Sequence, residues 1–296
     1  MSDQHEDTGV ALEDWGIKPV VPISDELFAL WQGLIDARTG MTFTQTRRPF
    51  LEIALSTRMR EIAINDYETY YEQLMAGASG EREWVILVDR LAVQETSFFR
   101  HASSYALVEQ HLKAQLADPK TQALNLWSAG CSTGEEPYSL ALLIEDLLHT
   151  TGRKSVFYGI TATDISLPTL AKAKLGVYNE RKLHGIPEQL KEQYFHLLAN
   201  HRDWQISQSL KARIAFAQLN LMELEKAPFS DMDVIFCQNV LIYFRRFRKR
   251  DVVSHLASRL QLGGILVLGV GEMMDWQHPL LERIDYPDTL AYRRIA

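Results

Sequence analysis

The residues of this chain that could do chemistry fall into a few short stretches. One is Gly130-Cys131-Ser132-Thr133-Gly134, followed at once by Glu135 and Glu136. Small residues let backbone N–H groups come close to a ligand at the carboxyl end of a strand. The Gly130-x-x-x-Gly134 spacing is not the G-x-G-x-x-G dinucleotide fingerprint, and two acids beside it would repel a pyrophosphate. They suit a cation or an amine, and S-adenosylmethionine carries both a sulfonium and an α-amino group. A plain strand-to-helix turn of any α/β protein would use the same small residues. Asp164 ends a second apolar run, where an acid can accept the two hydroxyls of a ribose or cap the next helix, as Ser166 also can. Gln238 and Asn239 emerge from a third apolar run, with Tyr243 one helical turn on. Arg100 follows an aromatic pair at the end of Gln94-Glu95-Thr96-Ser97-Phe98-Phe99-Arg100.

These groups need elements to hold them. Strands are expected over 123–128, 155–163, 213–217, 233–237 and 264–269. Helices are expected between them over 136–149, 166–175, 187–198 and 246–261, with Pro137 at a first helical position. Such alternation predicts a doubly wound, mostly parallel sheet in the α/β class. Two further strands, 282–286 and 289–295, predict an antiparallel hairpin at its far edge, and 197–213 a small inserted hairpin or ribbon. Upstream, Ser24, Pro49 and Asp66 open helical patterns, and the reading is a small all-helical domain over 23–92. A flexible tail over 1–22, a linker with a connecting helix over 93–120 and a ligand-binding domain over 121–296 complete the division.

Hydrophobic residues make up 46% and charged residues 23%, ordinary for a globular chain. A net charge of −7 disfavours wholesale nucleic-acid binding. Two distant cysteines, Cys131 and Cys237, form neither a disulfide framework nor a zinc pattern and fit a reducing compartment. No signal peptide and no membrane-length apolar run is seen, so a soluble cytoplasmic protein is expected. None of the histidines is assigned a role, and no metal site is expected.

Taken in order, Gln94-x-Thr96-x-Phe98-Phe99-Arg100, Ser132-Thr133-Gly134-Glu135-Glu136-Pro137-Tyr138, Thr163-Asp164-Ile165, Asn220-Leu221 and Phe236-Cys237-Gln238-Asn239-x-x-Ile242-Tyr243-Phe244 resemble the CheR-type chemotaxis receptor methyltransferases. The resemblance runs from about residue 24 to the C-terminus. It implies a class I, Rossmann-like methyltransferase fold and S-adenosylmethionine-dependent methyl esterification of glutamates on cytoplasmic helices of chemoreceptors, with S-adenosylhomocysteine as product. It further implies that Gln94, Thr96, Arg100, Gly130, Glu135, Asp164, Asn220, Leu221, Gln238 and Asn239 line the cofactor site. Arg100 and Tyr243 would act at the transferred methyl. Arg48, Arg58 and Arg60 on the second helix would meet an acidic receptor helix, although any one of them could equally be a solvated charge. The enzyme is expected to be a monomer, peripheral to receptor arrays rather than membrane-inserted, with no nucleic-acid partner. A second basic run, Arg245 to Arg250, reads as mostly solvated.

The sequence departs from the family pattern at Gln94 (usually Asn), Gln238 (usually Arg), Gly269-Val270-Gly271-Glu272 (usually Gly-His-Ser-Glu) and Ala54 (usually Arg). Two other readings therefore stay open: a methyltransferase of the same fold with another substrate, and a family member with reduced turnover.

Overall fold

The computed structural model describes residues 22–92, 94–273 and 276–296. The expected tail, apart from Pro22, lies outside the described residues. The chain forms two compact units, one of residues up to Leu34 with Phe43–Leu87, the other of Ile35–Thr42 with Val88–Ala296. The helical segment expected as one domain over 23–92 thus contributes Ile35–Thr42 and its last residues to the second unit.

The first unit is built from helices α1 (Asp25–Thr39, its first ten residues), α2 (Arg48–Glu61), α3 (Tyr67–Leu74) and α4 (Gly77–Leu91, up to Leu87). Two starts follow directly from capping residues, whose oxygens accept otherwise unpaired first-turn amides. Ser24 Oγ accepts the Leu27 N–H at 3.2 Å and Asp66 accepts that of Thr69 at 2.8 Å. The core closes around the fully buried Trp31, which meets Tyr70 at 5.3 Å and the edge of Tyr71 at 5.5 Å.

Beyond the ends of α1 and α4, the second unit holds helix α5 (Ala102–Leu116), β1 (Ala123–Ala129), α6 (Glu135–Thr150), β2 (Phe157–Asp164), α7 (Leu167–Leu175), β3 (Val177–Asn179), α8 (Glu188–Tyr194), β4 (Phe195–Leu197) and β5 (Asp203–Ile206). The short helix α9 (Gln208–Lys211), β6 (Ile214–Gln218), β7 (Met232–Cys237), α10 (Arg246–Arg259), β8 (Leu260–Leu268), β9 (Leu281–Ile284) and β10 (Leu290–Arg294) follow. Seven strands form one sheet in the order β6-β2-β1-β7-β8-β10-β9. The first five are parallel, and β10 runs antiparallel to both β8 and β9. This is the doubly wound sheet with an edge hairpin that the alternation implies. Val234, Ile235 and Phe236 of β7 and Ile265 to Leu268 of β8 are fully or almost fully buried, as central parallel strands covered on both faces must be.

Three details differ from the sequence reading. The inserted ribbon is a three-stranded antiparallel sheet, β3-β5-β4, rather than a hairpin confined to 197–213. Strands β3 and β4 are three residues long, too short to show a period. Strand β8 starts at Leu260, because Gly263 (φ +82°) and Gly264 interrupt its apolar pattern without ending it. Helix α6 starts at Glu135, so Pro137 takes its third position rather than its first, still inside the turn whose amides lack helical acceptors.

Candidate active site

In an open α/β sheet a ligand crevice lies outside the carboxyl ends of the strands where the strand order reverses. Here that point is β1, between β2 and β7. The turn after β1 is fixed by the tip of β2. The Thr163 carbonyl accepts the N–H groups of both Gly130 (2.8 Å) and Cys131 (2.9 Å), and Asp164 Oδ2 accepts that of Ser132 at 2.9 Å. Gly130 has φ +82°, and a Cβ there would stand 2.4 Å from Val240 Cγ2, so only glycine lets the turn pass under the loop after β7. The Ser166 side chain caps α7, accepting the Thr169 N–H at 3.2 Å, which leaves Asp164 to serve the turn.

Above these strand ends lies a cavity, partly open to solvent. Met41, Ile165, Leu219, Leu221, Val240 and Phe244 supply apolar walls able to receive a flat ring. Glu136, Asp164, Gln238, Asn239 and Arg100 bring polar groups to the same space. Burial shifts both of these acids upward. Burial pushes Glu136 up to about 8, and the charges of Glu272 and Asp164 add to this, against the hydrogen bond from Ser128 and the charge of Arg100. Burial also raises Asp164, opposed by backbone N–H bonds from Ser166, Ser132 and Ile165. Such a site favours a cationic guest, which would relieve the cost of ionising acids away from water.

The structure brings nearly all of the expected residues to this cavity. Gln94, Thr96, Arg100, Gly130, Asp164, Asn220, Leu221, Gln238, Asn239 and Tyr243 all line it. Several have side chains already engaged. The Gln94 amide bridges Asp89 Oδ1 (2.9 Å) and Lys172 Nζ (3.0 Å). Asn220 donates to the Arg38 carbonyl at 2.8 Å and accepts the Met222 N–H at 3.0 Å. Gln238 is buried and donates to Ser104 Oγ (2.9 Å) and the Leu268 carbonyl (3.1 Å). The Thr96–Arg100 stretch is anchored by Phe98 against Tyr178 and Phe195 and by the Phe99 N–H on Ser139 Oγ at 3.0 Å.

Glu135 requires correction. It is 1% exposed and does not line the cavity; Lys182 Nζ lies 3.0 Å from its Oε1 and Thr133 Oγ1 donates to its Oε2 at 2.6 Å. Successive residues of a helix point about 100° apart, and it is Glu136 that faces the cavity, its Oε1 accepting from Ser128 Oγ at 2.6 Å. The sequence reading also missed Glu272. Its carboxylate accepts the N–H groups of Gly269 (2.8 Å) and Ile242 (3.2 Å), with those of Asn239 and Leu241 also directed at it. It thereby fixes the loop carrying Asn239 and Tyr243. The retained glutamate in the otherwise altered Gly269–Glu272 stretch was the available signal. Thr39 and Met41 were missed because they precede the sheet by some 80 residues.

In the first unit, Arg58 is not a free docking charge. It makes a two-pronged pair with the buried Glu83 (2.8 and 2.7 Å), raised by those hydrogen bonds, and Tyr70 donates to the same carboxylate. Arg48 pairs with Asp25 at 2.5 Å and with Glu52 at 3.4 Å. Arg60 is exposed. Arg245 and Arg248 of the second basic run pair with Asp36 at 3.5 and 3.1 Å. Among the described residues no helix is long and apolar enough to cross a membrane.

Residues 94–287 match the family model described as CheR methyltransferase, SAM binding domain, and residues 26–92 that described as CheR methyltransferase, all-alpha domain. The chain is 33% identical over 256 residues to chemotaxis protein methyltransferase 2 of Vibrio cholerae serotype O1, covering 86% of this chain and 88% of the relative. It is 30% identical over 253 residues to the chemotaxis protein methyltransferase of Escherichia coli K12, covering 84% and 85%. It is also 30% identical over 251 residues to chemotaxis protein methyltransferase 1 of Pseudomonas aeruginosa, covering 84% and 90%. With its parallel sheet, its small-residue turn and its acid-lined cavity, the chain belongs to the CheR methyltransferase family and is an S-adenosylmethionine-dependent methyltransferase.

Proposed function

We propose that this enzyme esterifies glutamate side chains on the cytoplasmic helical region of a chemoreceptor, acting as a soluble monomer in the cytoplasm. The chemotaxis names of relatives aligned over most of their length support the receptor as substrate. The observation that carries the reading is the composition of one cavity. Acids that suit a cation, Glu136 and Asp164, share it with Arg100 and Tyr243, which suit an incoming carboxylate.

The residues fit the cofactor. The Gly130 turn is a cradle that a Cβ would fill, and the perturbed Glu136 calls for a positive partner. In this reading Asp164 holds the ribose, the apolar walls hold the base, and Glu136 faces the positively charged end. When bound, the cofactor supplies an electrophilic methyl on a sulfonium. A glutamate carboxylate is ionised at neutral pH and needs no general base. The sulfonium methyl would pass to one carboxylate oxygen as the carbon–sulfur bond broke, with the electron pair left on sulfur. Arg100 attracts and orients the carboxylate, and Tyr243 lies at the cavity wall beside it. Alignment in a water-poor site then contributes most of the rate. The exposed Arg60 of α2 is the remaining candidate for meeting an acidic receptor helix.

Transfer of labelled methyl to a purified receptor cytoplasmic fragment tests the reading. Base-labile label on receptor glutamates is expected. Label appearing only on an unrelated protein or small molecule would replace the substrate, and absence of transfer to any acceptor would point to a member with reduced turnover.

A further inference from the structure

Asn239 is unusual among the cavity residues. It sits at φ +60°, in the left-handed region, with its N–H directed at the buried Glu272. Asparagine tolerates this backbone better than most residues, so its type alone is explained. Its side chain has a further constraint. Asn239 Nδ2 lies 3.1 Å from Nε2 of His101, the residue that precedes α5 and follows Arg100. No hydrogen bond reaches Asn239 Oδ1 among the described residues.

An amide N–H needs a lone pair, so this contact requires His101 to be neutral with its proton on Nδ1. That tautomer leaves Oδ1 as the end of the amide available to a guest in the cavity, as an acceptor. A protonated imidazole offers only N–H at both nitrogens. It would turn the Asn239 amide around and present the –NH₂ group to the guest instead. The guest's positively charged groups are donors or cations, and they match the first arrangement and oppose the second.

We propose that His101 is a positioning residue that holds the Asn239 amide in its acceptor-presenting orientation and so makes cofactor affinity dependent on the His101 proton. This rests on the assignment of the cavity to the cofactor. The surroundings favour the neutral ring: burial and the charge of Arg100 both lower the His101 pKa below its usual value. The other charged groups that line the cavity are Glu95, before α5, Glu136, on α6, and Asp164, at the tip of β2, and the buried Glu272 lies behind the loop that carries Asn239. They are shared by wild type and variants, so a comparison between the two removes their own titrations.

The test is calorimetric binding of S-adenosylmethionine from pH 7.5 to pH 5 by the full chain, its His101→Gln variant and its His101→Phe variant. Glutamine offers an acceptor oxygen at every pH. It is expected to keep affinity near the wild-type value at pH 7.5 and to lose about tenfold less than wild type on acidification. Phenylalanine is expected to bind several-fold more weakly at pH 7.5 with a correspondingly flatter profile. Nitrogen-detected imidazole NMR of the wild-type protein at pH 7.5 should show the Nδ1–H form. If both variants follow the wild-type pH profile, or if the ring is the Nε2–H form, the inference is overturned. If wild type itself binds no S-adenosylmethionine at pH 7.5, the assignment of the cavity fails instead.

Discussion

Asp164 Oδ2 accepts the N–H of Ser132 at 2.9 Å, while its Oδ1 accepts that of Ser166 at 3.0 Å. One carboxylate thus ties the tip of β2 both to the turn after β1 and to the start of α7. The ribose role proposed for it and its structural role are consequently inseparable in a simple deletion. Asp164→Ala should weaken S-adenosylmethionine by about 1–3 kcal/mol and should also lower the melting temperature of the free protein. Calorimetry and thermal unfolding on the same sample check this. Unchanged affinity would remove Asp164 from the cofactor site.

Glu136 should couple cofactor binding to a proton. With its carboxyl pushed up to about 8, it is mostly protonated at pH 7, and a cation placed beside it favours ionisation. Binding of S-adenosylmethionine at pH 7 should release a fraction of a proton approaching one. This is read from the dependence of the calorimetric heat on buffer ionisation enthalpy, and should vanish in Glu136→Gln. The same group shapes stability. Between about 4.5 and about 8 the folded chain holds this proton and the unfolded chain does not, so stability falls as pH rises through that window. Glu136→Gln removes that loss, and should melt higher relative to wild type at pH 8.5 than it does at pH 5.

Arg100 is exposed, and the hydrogen bond seen for it is donation to the Glu95 carbonyl at 2.9 Å. Its removal should leave folding intact. Arg100→Ala is expected to lower kcat/KM for the receptor by at least about 100-fold, the scale of a lost charge-stabilising donor, with a melting temperature within about 2 °C of wild type. Turnover close to wild type would show that the residue only packs the segment before α5.

Arg58 and Arg60, two residues apart, should separate cleanly. Arg58→Ala leaves Glu83 buried without its guanidinium, a change that typically costs about 3–5 kcal/mol. It should appear as a large loss of stability. Arg60→Glu should leave stability unchanged and raise KM for the receptor, the more so at low salt, because exposed charges are screened beyond about 8–10 Å at physiological ionic strength. If KM does not move, the receptor docks away from this residue.

The sheet was legible because burial on both faces writes apolar runs, and capping residues mark where helices start. Asp164, Gln238 and Asn239 could be found because they directly follow such runs. The choice between Glu135 and Glu136 was not legible: adjacent carboxylates look alike until Lys182, far along the chain, claims one of them. Arg58 likewise looked like surface charge until α4 supplied Glu83. Glu272 was hidden for the opposite reason. Its partners are backbone N–H groups, which carry no sequence signature.

The second unit takes Ile35–Thr42 from one part of the chain and resumes only at Val88. The first unit is discontinuous in the same way, taking residues up to Leu34 and then Phe43–Leu87. A chain starting at residue 93 would therefore begin without Thr39 and Met41, two residues of the cavity wall, and without the Arg38 carbonyl that holds Asn220. A cut at any single point between Leu34 and Val88 therefore splits one unit or the other: the first needs both of its segments, because Trp31 of the earlier one packs on Tyr70 of the later one, and the second needs Ile35–Thr42.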